Sequence, residues 1–139
     1  MANKNIELVQ GVLDSLVEGS EKLVVIDFGC GKGVFAEYLR ELGHEYIGVD
    51  IDKDSLADLS NRGLKAYHPD NLPKNLEVDI LLLGNMNGIE TGMHLVNARK
   101  LLKNNGIVFM WDFSKQRLPK GEFQQTVVMS VVSKEGLYV

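Results

Sequence analysis

The chain has 139 residues, a formal net charge of −4 and 45% hydrophobic residues, which is the size and composition of one globular domain. Its 14 glycines and 3 prolines exclude a low-complexity or fibrous protein, and its apolar runs are too short for a membrane span of about 18 residues or more. The acidic balance argues against a protein that holds nucleic acid mainly through phosphate charge. We therefore expect a single domain over residues 1–139, no membrane segment and no nucleic-acid partner.

Cysteine usage limits the chemistry further. Cys30 is the only cysteine, which excludes an intramolecular disulfide framework and a multi-cysteine zinc site, and we predict no metal site. The amino terminus lacks the continuous apolar core of a secretory signal. Together these features predict a cytoplasmic protein.

The chain alternates between two hydrophobic periods from its beginning to residue 110. Residues 1–19 carry apolar side chains at three- and four-residue spacings, which predicts an amphipathic covering helix that ends near Gly19. Apolar, mostly β-branched runs then predict strands, and periodic segments between them predict helices. The predicted strands are 23–26, 46–49, 64–67, 80–83 and 107–110, and the predicted helices between them are 34–42, 54–59 and 93–102.

Strands that alternate with helices indicate the α/β class, because a parallel crossover needs a connection of helix length. We expect a Rossmann-like three-layer sandwich with a mostly parallel sheet, in which residues 22–113 form the ligand-binding core. The carboxyl-terminal part departs from this rhythm. A β-branched run over 125–132, the segment 133–136 and a short apolar end predict an antiparallel β-hairpin within 122–139.

A glycine-rich segment, Asp27-Phe28-Gly29-Cys30-Gly31-Lys32-Gly33, stands where the first predicted strand turns into a helix. Glycines permit positive φ angles and let a ligand approach backbone amides at a helix amino end. A Gly-x-Gly pattern alone is as typical of an ordinary tight turn as of a ligand loop. Asp50 closes the second strand 21 positions after Gly29, a spacing at which a carboxylate can accept both hydroxyls of a ribose.

Two features indicate which nucleoside ligand this segment suits. The dinucleotide fingerprint needs Gly or Ala three positions after its second glycine, where Val34 stands here. Asp27 would repel a pyrophosphate and attract a cation, with a Coulomb energy on the order of several kcal/mol in a partly buried cleft. The sequence therefore predicts a ligand that carries positive charge.

The segment from Asp27 to Gly33 resembles, residue by residue, the Asp/Glu-x-Gly-x-Gly-x-Gly loop of class I S-adenosylmethionine-dependent methyltransferases. Gly48-Val49-Asp50-Ile51-Asp52 resembles the second motif of that family, and the resemblance covers about residues 22–113. It implies S-adenosylmethionine as the cofactor and methyl transfer as the reaction. It also implies that Asp27 lies near the methionine ammonium and that the glycines of the loop face the methionyl and ribose portions; these are Gly29, Gly31 and Gly33.

The same resemblance implies roles further along the chain. Asp50 would bind the ribose, and Ile51 would pack on the adenine. His68-Pro69-Asp70-Asn71-Leu72 resembles the segment after the third strand of the family, in which an Asp meets the adenine amino group, so Asp70 and Asn71 become cofactor contacts. The alternatives stay open that Asp27 caps a helix or orders the loop and that Asp70 is an ordinary turn residue.

Residues for the acceptor substrate are expected beyond the carboxyl ends of the later strands. Asn85 and Asn87 follow the fourth strand and Asp112 follows the fifth, and Asn85 is our catalytic candidate. Methyl transfer is an in-line displacement, so it needs positioning and requires a base only if the acceptor must lose a proton. Family members that methylate exocyclic amines carry Asn/Asp-Pro-Pro-aromatic at this point, and Asn85-Met86-Asn87-Gly88 has neither proline nor aromatic residue.

These observations predict a small methyltransferase that uses S-adenosylmethionine and acts on an unidentified, small-molecule acceptor. A homo-oligomer or a partner protein could supply further acceptor contacts. The alternative is a non-catalytic S-adenosylmethionine-binding module or a methyltransferase-like subunit, which the shortness of the chain and the missing acceptor motif keep open. An NAD-dependent oxidoreductase is a third hypothesis, opposed by Asp27 and Val34.

Overall fold

The computed structural model of the protein describes residues 4–84 and 92–137. Helices and strands alternate along this part of the chain as the hydrophobic periods predict. The helices are α1 (Lys4–Val17), α2 (Ala36–Glu41), α3 (Lys53–Asn61) and α4 (Gly92–Leu101). The strands are β1 (Val24–Phe28), β2 (Glu45–Val49), β3 (Lys65–Tyr67), β4 (Val78–Gly84), β5 (Leu102–Arg117) and β6 (Phe123–Ser133).

The six strands form one sheet in the order β3-β2-β1-β4-β5-β6. The first five are parallel to their neighbours, and β6 runs antiparallel to β5. Segments that contain α2, α3 and α4 join successive parallel strands, as a parallel crossover requires. The predicted Rossmann-like, mostly parallel α/β fold is confirmed.

Helices cover both faces of the sheet. Along β1, Val25 belongs to the apolar cluster of one face and Ile26 to that of the other, because successive side chains of a strand alternate. The first face packs against α1, α2 and α3, and the second packs against α4. Residues 80–83 of β4 are buried throughout, which explains why this strand appears in the sequence as an unbroken apolar run.

The carboxyl-terminal hairpin is confirmed, but the prediction of its two strands within 122–139 is wrong. β5 continues to Arg117 and pairs with β6 over its whole length, so the hairpin turn lies between Arg117 and Phe123. The predicted turn is instead a short 3-10 helix (Lys134–Gly136), after which Leu137 is buried against the second face. The β-branched run of β6 gains an extended ladder of cross-strand pairs from β5, which a three-residue strand could not offer. Residues 138–139 lie outside the described part.

Within residues 4–84 and 92–137, no helix has the length and apolar character needed to cross a membrane.

Candidate functional site

The carboxyl ends of β1, β2 and β3 meet at one edge of the sheet. Phe28 pairs with Val49, and Val49 pairs with Tyr67, so the chain leaves these three strands at the same level. β4 joins the same edge, since Leu83 pairs with Phe28. The segments that carry Asp27, Asp50 and Asp70 are therefore brought together at this edge, as the sequence predicts.

Four backbone amides of the glycine loop donate hydrogen bonds to other groups of the protein. Gly29 and Cys30 donate to the Val49 carbonyl oxygen at 2.7 and 3.1 Å, and Gly31 donates to Asp50 Oδ2 at 2.8 Å. Gly33 donates to the Cys30 carbonyl oxygen at 2.9 Å. The expectation that a ligand meets bare amides here is wrong for these four groups. A loop whose amides are already donated is poorly suited to hold a phosphate, because phosphate cradles consist of convergent free N–H groups.

Gly31 and Gly33 show why the loop needs glycine. Both have positive φ angles, +52° and +70°. A Cβ atom at Gly33 would lie 2.7 Å from Leu59 Cδ2 and 3.3 Å from the Tyr46 hydroxyl, whereas a Cβ at Gly31 would meet nothing within 4 Å. The loop is thus closely packed at Gly33 and open at Gly31.

Asp27 is a buried carboxylate, 5% exposed, below this loop. The Tyr46 hydroxyl donates a hydrogen bond of 2.6 Å to Asp27 Oδ2. Burial raises the pKa of Asp27 to about 6; the Tyr46 hydrogen bond works against this rise, and the nearby charge of Asp50 adds to it. Asp27 is therefore mostly ionised at neutral pH and protonated in mild acid.

Tyr46 is a site residue that the sequence reasoning missed. It lies in β2, is 3% exposed, and is held as a neutral donor because burial and the charge of Asp27 raise its pKa. The available signal was a tyrosine in the apolar run 46–49, since a buried tyrosine hydroxyl requires a hydrogen-bond partner. Only the register between β1 and β2 shows that this partner is Asp27.

Cys30 lies between the loop glycines and is buried. Burial and the charges of Asp27 and Asp50 raise its pKa to about 12. A thiol that stays protonated at neutral pH is a poor nucleophile, so Cys30 is a small packing residue of the loop.

Asp50 is held in one orientation by two backbone amides. Gly31 donates to its Oδ2 at 2.8 Å, and Asp52 donates to its Oδ1 at 3.0 Å. Each oxygen retains a lone pair for a further donor, because a carboxylate oxygen can accept two hydrogen bonds. The next residue, Ile51, exposes 57% of its surface, so its apolar side chain is accessible beside Asp50.

Asp70 and Asn71 lie in a 3-10 turn (Pro69–Asn71) after β3, and both are exposed. Asp70 Oδ1 is 3.1 Å from His94 Nε2, and the Asp70 amide donates to His68 Nδ1 at 3.1 Å. The rings of His68 and His94 meet edge to face with their centroids 6.2 Å apart. His94 thus links α4 to the turn that carries Asp70.

The acceptor side of the site is described only in part. Asn85 and Asn87, which follow β4, lie outside the described residues. Asp112 stands in β5 one residue beyond Trp111, which pairs with Gly84 at the end of β4. Its Oδ1 is buried and has no hydrogen-bond partner among residues 4–84 and 92–137. Among the residues that the structure describes, no group of three His, Cys, Asp or Glu side chains is arranged to hold a metal ion.

The chain is similar in sequence to known proteins. The chain is 35% identical over 112 residues to a ribosomal protein L11 methyltransferase of Tolumonas auensis, a match that covers 69% of this chain and 37% of that protein. It is 25% identical over 130 residues to a protein of Archaeoglobus fulgidus named "Probable cobalt-precorrin-6B C(15)-methyltransferase (decarboxylating)", covering 89% of this chain and 80% of that protein. The chain therefore spans well under half of the first relative and most of the second.

The fold is also shared with a solved S-adenosylmethionine-dependent methyltransferase of Mesorhizobium loti, with a TM-score of 0.58 and 16% sequence identity. That likeness covers 85% of this chain and 63% of the other. The family described as a methyltransferase domain matches residues 1–125, which is most of the chain. The chain belongs to this methyltransferase domain family, within the S-adenosylmethionine-dependent methyltransferases that its two motifs resemble.

Proposed function

We propose that this protein binds S-adenosylmethionine at the carboxyl edge of its sheet and transfers the methyl group to a small-molecule acceptor. One observation carries the proposal. A buried carboxylate, Asp27, lies below a glycine loop of which four amides are already donated within the protein. Such a site attracts a cationic amino acid group and offers little to a diphosphate.

In this proposal, different residues at the edge of the sheet contact different portions of the cofactor. Asp27 attracts the methionine ammonium, and the glycine loop (Gly29, Gly31 and Gly33) faces the methionyl and ribose portions, with open space at Gly31. Asp50, whose two oxygens are oriented by backbone amides, accepts the ribose hydroxyls. The exposed side chain of Ile51 packs on the adenine face, and the turn that carries Asp70 and Asn71 lies at the adenine edge.

The reaction is a displacement at the methyl carbon of the sulfonium. A lone pair of the acceptor forms the new bond to carbon, the carbon–sulfur bond breaks, and its electron pair stays on sulfur, which leaves neutral S-adenosylhomocysteine. The protein contributes mainly by holding the two reactants in line. Asn85 and the Asp112 carboxylate are the acceptor-side groups of this proposal. The latter could take a proton from an acceptor that must lose one.

A small acceptor is supported by the relative that the chain spans most fully. The Archaeoglobus fulgidus protein, whose name gives a cobalt precorrin as acceptor, is matched over 80% of its length. The ribosomal protein L11 methyltransferase of Tolumonas auensis is matched over 37%, so most of that protein has no counterpart in the match. The single cysteine favours a reducing compartment, and the proposal includes a cytoplasmic location.

Ligand binding to the purified protein tests the cofactor. S-adenosylmethionine and S-adenosylhomocysteine should raise the melting temperature, because a ligand that binds only the native state stabilises it by mass action, and NAD should not. Asp50→Ala should keep the fold and lose about tenfold or more in affinity for S-adenosylhomocysteine, since it removes hydrogen bonds to the ribose. Asp54→Ala is the matched control, because Asp54 is an exposed carboxylate in the first turn of α3.

Protection by NAD alone would contradict the proposal, and so would unchanged affinity in Asp50→Ala. Turnover is tested by the formation of S-adenosylhomocysteine from S-adenosylmethionine in fractionated pools of small metabolites. A fraction that supports product formation identifies the acceptor class. Tight binding without product in every fraction would favour the non-catalytic module instead.

A further inference from the structure

We propose that the Tyr46 hydroxyl is a positioning group that fixes the Asp27 carboxylate in its ionised form and thereby sets the pH range in which the protein holds its cofactor. The inference rests on the proposed function for the identity of the ligand. The state of Asp27 itself can be measured without any ligand.

The register of the sheet brings the two side chains together. Val25 of β1 pairs with Tyr46 of β2, and Asp27 pairs with Gly48. Side chains at these positions share one face of the sheet, so the Tyr46 side chain and Asp27 are diagonal neighbours. Gly48 has no side chain, and a Cβ there would lie 2.9 Å from both Cys30 Sγ and Leu59 Cδ1. The layer between the sheet and α3 is therefore closely packed beside the pair at Gly48.

The hydroxyl is also close to the loop that the ligand would contact. Its oxygen lies 3.3 Å from the position that a Cβ of Gly33 would take, and its hydrogen bond to Asp27 Oδ2 is 2.6 Å long. Because Oδ2 is held by Tyr46, the carboxylate cannot rotate freely, and Oδ1 retains its capacity to accept from a ligand. The Tyr46 side chain is 3% exposed, so the packing around its ring restricts the position of its hydroxyl.

The electrostatic surroundings make this hydrogen bond decisive for the charge of Asp27. The groups that act on the pair are Asp50 at the end of β2, Cys30 in the loop and Arg62 after α3. The charge of Asp50 opposes ionisation of Asp27, and Cys30 stays neutral because its pKa is raised. The charge of Arg62 lowers the pKa of Tyr46, against the larger effects that raise it. Tyr46 is thus the group that favours the charged form, and it offsets part of the burial that raises the pKa of Asp27.

Binding of S-adenosylhomocysteine between pH 5 and 8.5 tests the inference in four proteins. The wild type should lose affinity as the pH falls below about 6, because Asp27 becomes neutral. Tyr46→Phe should show the same loss with its midpoint at least about one pH unit higher, since a hydrogen bond to a buried charge is removed. Asp27→Asn should bind weakly with a much flatter profile. Tyr38→Phe, which removes another hydroxyl bonded to a carboxylate, Asp14, should follow the wild type.

A ligand-free measurement separates this inference from the proposed function. The difference in unfolding free energy between wild type and Asp27→Asn should change with pH around the titration of Asp27, and the same difference in the Tyr46→Phe background should change at higher pH. Absence of S-adenosylhomocysteine binding at every pH would overturn the proposed function. A ligand-free midpoint that stays in place after Tyr46→Phe would overturn the inference, whether or not the ligand binds.

The folding of Tyr46→Phe is informative as well. A variant that is unfolded at neutral pH and folded at pH 5 supports the inference, because protonation of Asp27 removes the buried charge that lacks a donor. A variant that is unfolded at both pH values overturns it, since the hydroxyl would then act through packing. A uniform loss of affinity at all pH values also overturns it.

Discussion

Asp27 is a residue at which the proposed function conflicts with stability. Its pKa of about 6, against an ordinary value of 3.8, means that the folded protein holds a proton on this group more tightly than the unfolded chain does. The stability that this group contributes is therefore present below pH 3.8 and is lost as the pH rises through about 6. At neutral pH the ionised Asp27 carboxylate lowers the unfolding free energy. The same buried negative charge would favour the binding of a cationic ligand.

Asp27→Asn should make this cost visible. Because one pKa unit corresponds to about 1.4 kcal/mol, the substitution should raise the unfolding free energy at pH 7.5 by up to about 3 kcal/mol. The gain should shrink steadily toward pH 4, where the wild-type carboxyl is neutral as well. Urea unfolding at both pH values measures it. Equal destabilisation at both would show that Asp27 acts through packing and hydrogen bonding alone.

At the scale of elements, the site depends on how closely the glycine loop approaches the layer below it. Gly33 combines a φ of +70° with a close approach to Leu59, whereas Gly63, after α3, has a φ of +77° and open space around a Cβ. The two glycines share the backbone requirement and differ in packing. A comparison of alanine substitutions at the two positions therefore distinguishes the cost of backbone strain from the cost of steric overlap.

Gly33→Ala should cost clearly more stability than Gly63→Ala. The control should lose about 1 kcal/mol from backbone strain, and Gly33→Ala should lose a further 1–3 kcal/mol or so from overpacking. Gly33→Ala should also weaken S-adenosylhomocysteine binding, because Tyr46 lies next to the added carbon. Denaturant unfolding and calorimetric titration measure both effects. Equal losses in the two variants would contradict the packing that places the loop on Leu59 and Tyr46.

Helix α4 contacts the site through His94. Removal of the contact between His94 and Asp70 in His94→Ala should lower the affinity for S-adenosylhomocysteine about two- to fivefold, since Asp70 loses a partner that orients it. Loss of the contact with Asp70 should change the unfolding free energy by less than about 1 kcal/mol, because the Asp70 side chain is 69% exposed, and the His94 side chain, which is 21% exposed, adds a loss of packing. Lys100→Ala, an exposed change in the last turn of the same helix, is the control. An affinity equal to that of the control would exclude this role of His94.

At the scale of the whole molecule, local hydrophobic patterns are sufficient to predict the parallel strands of the sheet. Each parallel strand except the short β3 contains a short apolar run, and glycines and polar residues around that run mark roughly where the strand lies. The predicted position of the hairpin is wrong because β5 extends well past the apolar run at 107–110 and is therefore long enough to pair with all of β6. Pairing of this kind depends on tertiary contacts that spacing does not encode.

The candidate site divides in the same way. The positions of Asp50 and Asp70 at one edge of the sheet could be predicted because they follow from where strands end, while their roles in binding stay predictions. Tyr46 and His94 could not, since their relevance depends on a cross-strand diagonal and on a contact between a helix and a distant turn. The use of the loop amides within the protein likewise follows from the close approach of the loop to Val49, which no sequence pattern announces.

The structure of the protein with S-adenosylhomocysteine bound is the most direct test of the central claim. The account predicts the amino group of the ligand within hydrogen-bonding distance of Asp27, its ribose hydroxyls on the Asp50 carboxylate, and its chain crossing the loop at Gly31. A ligand bound away from this edge would contradict it, and so would a phosphate-bearing cofactor seated on the loop against Asp27.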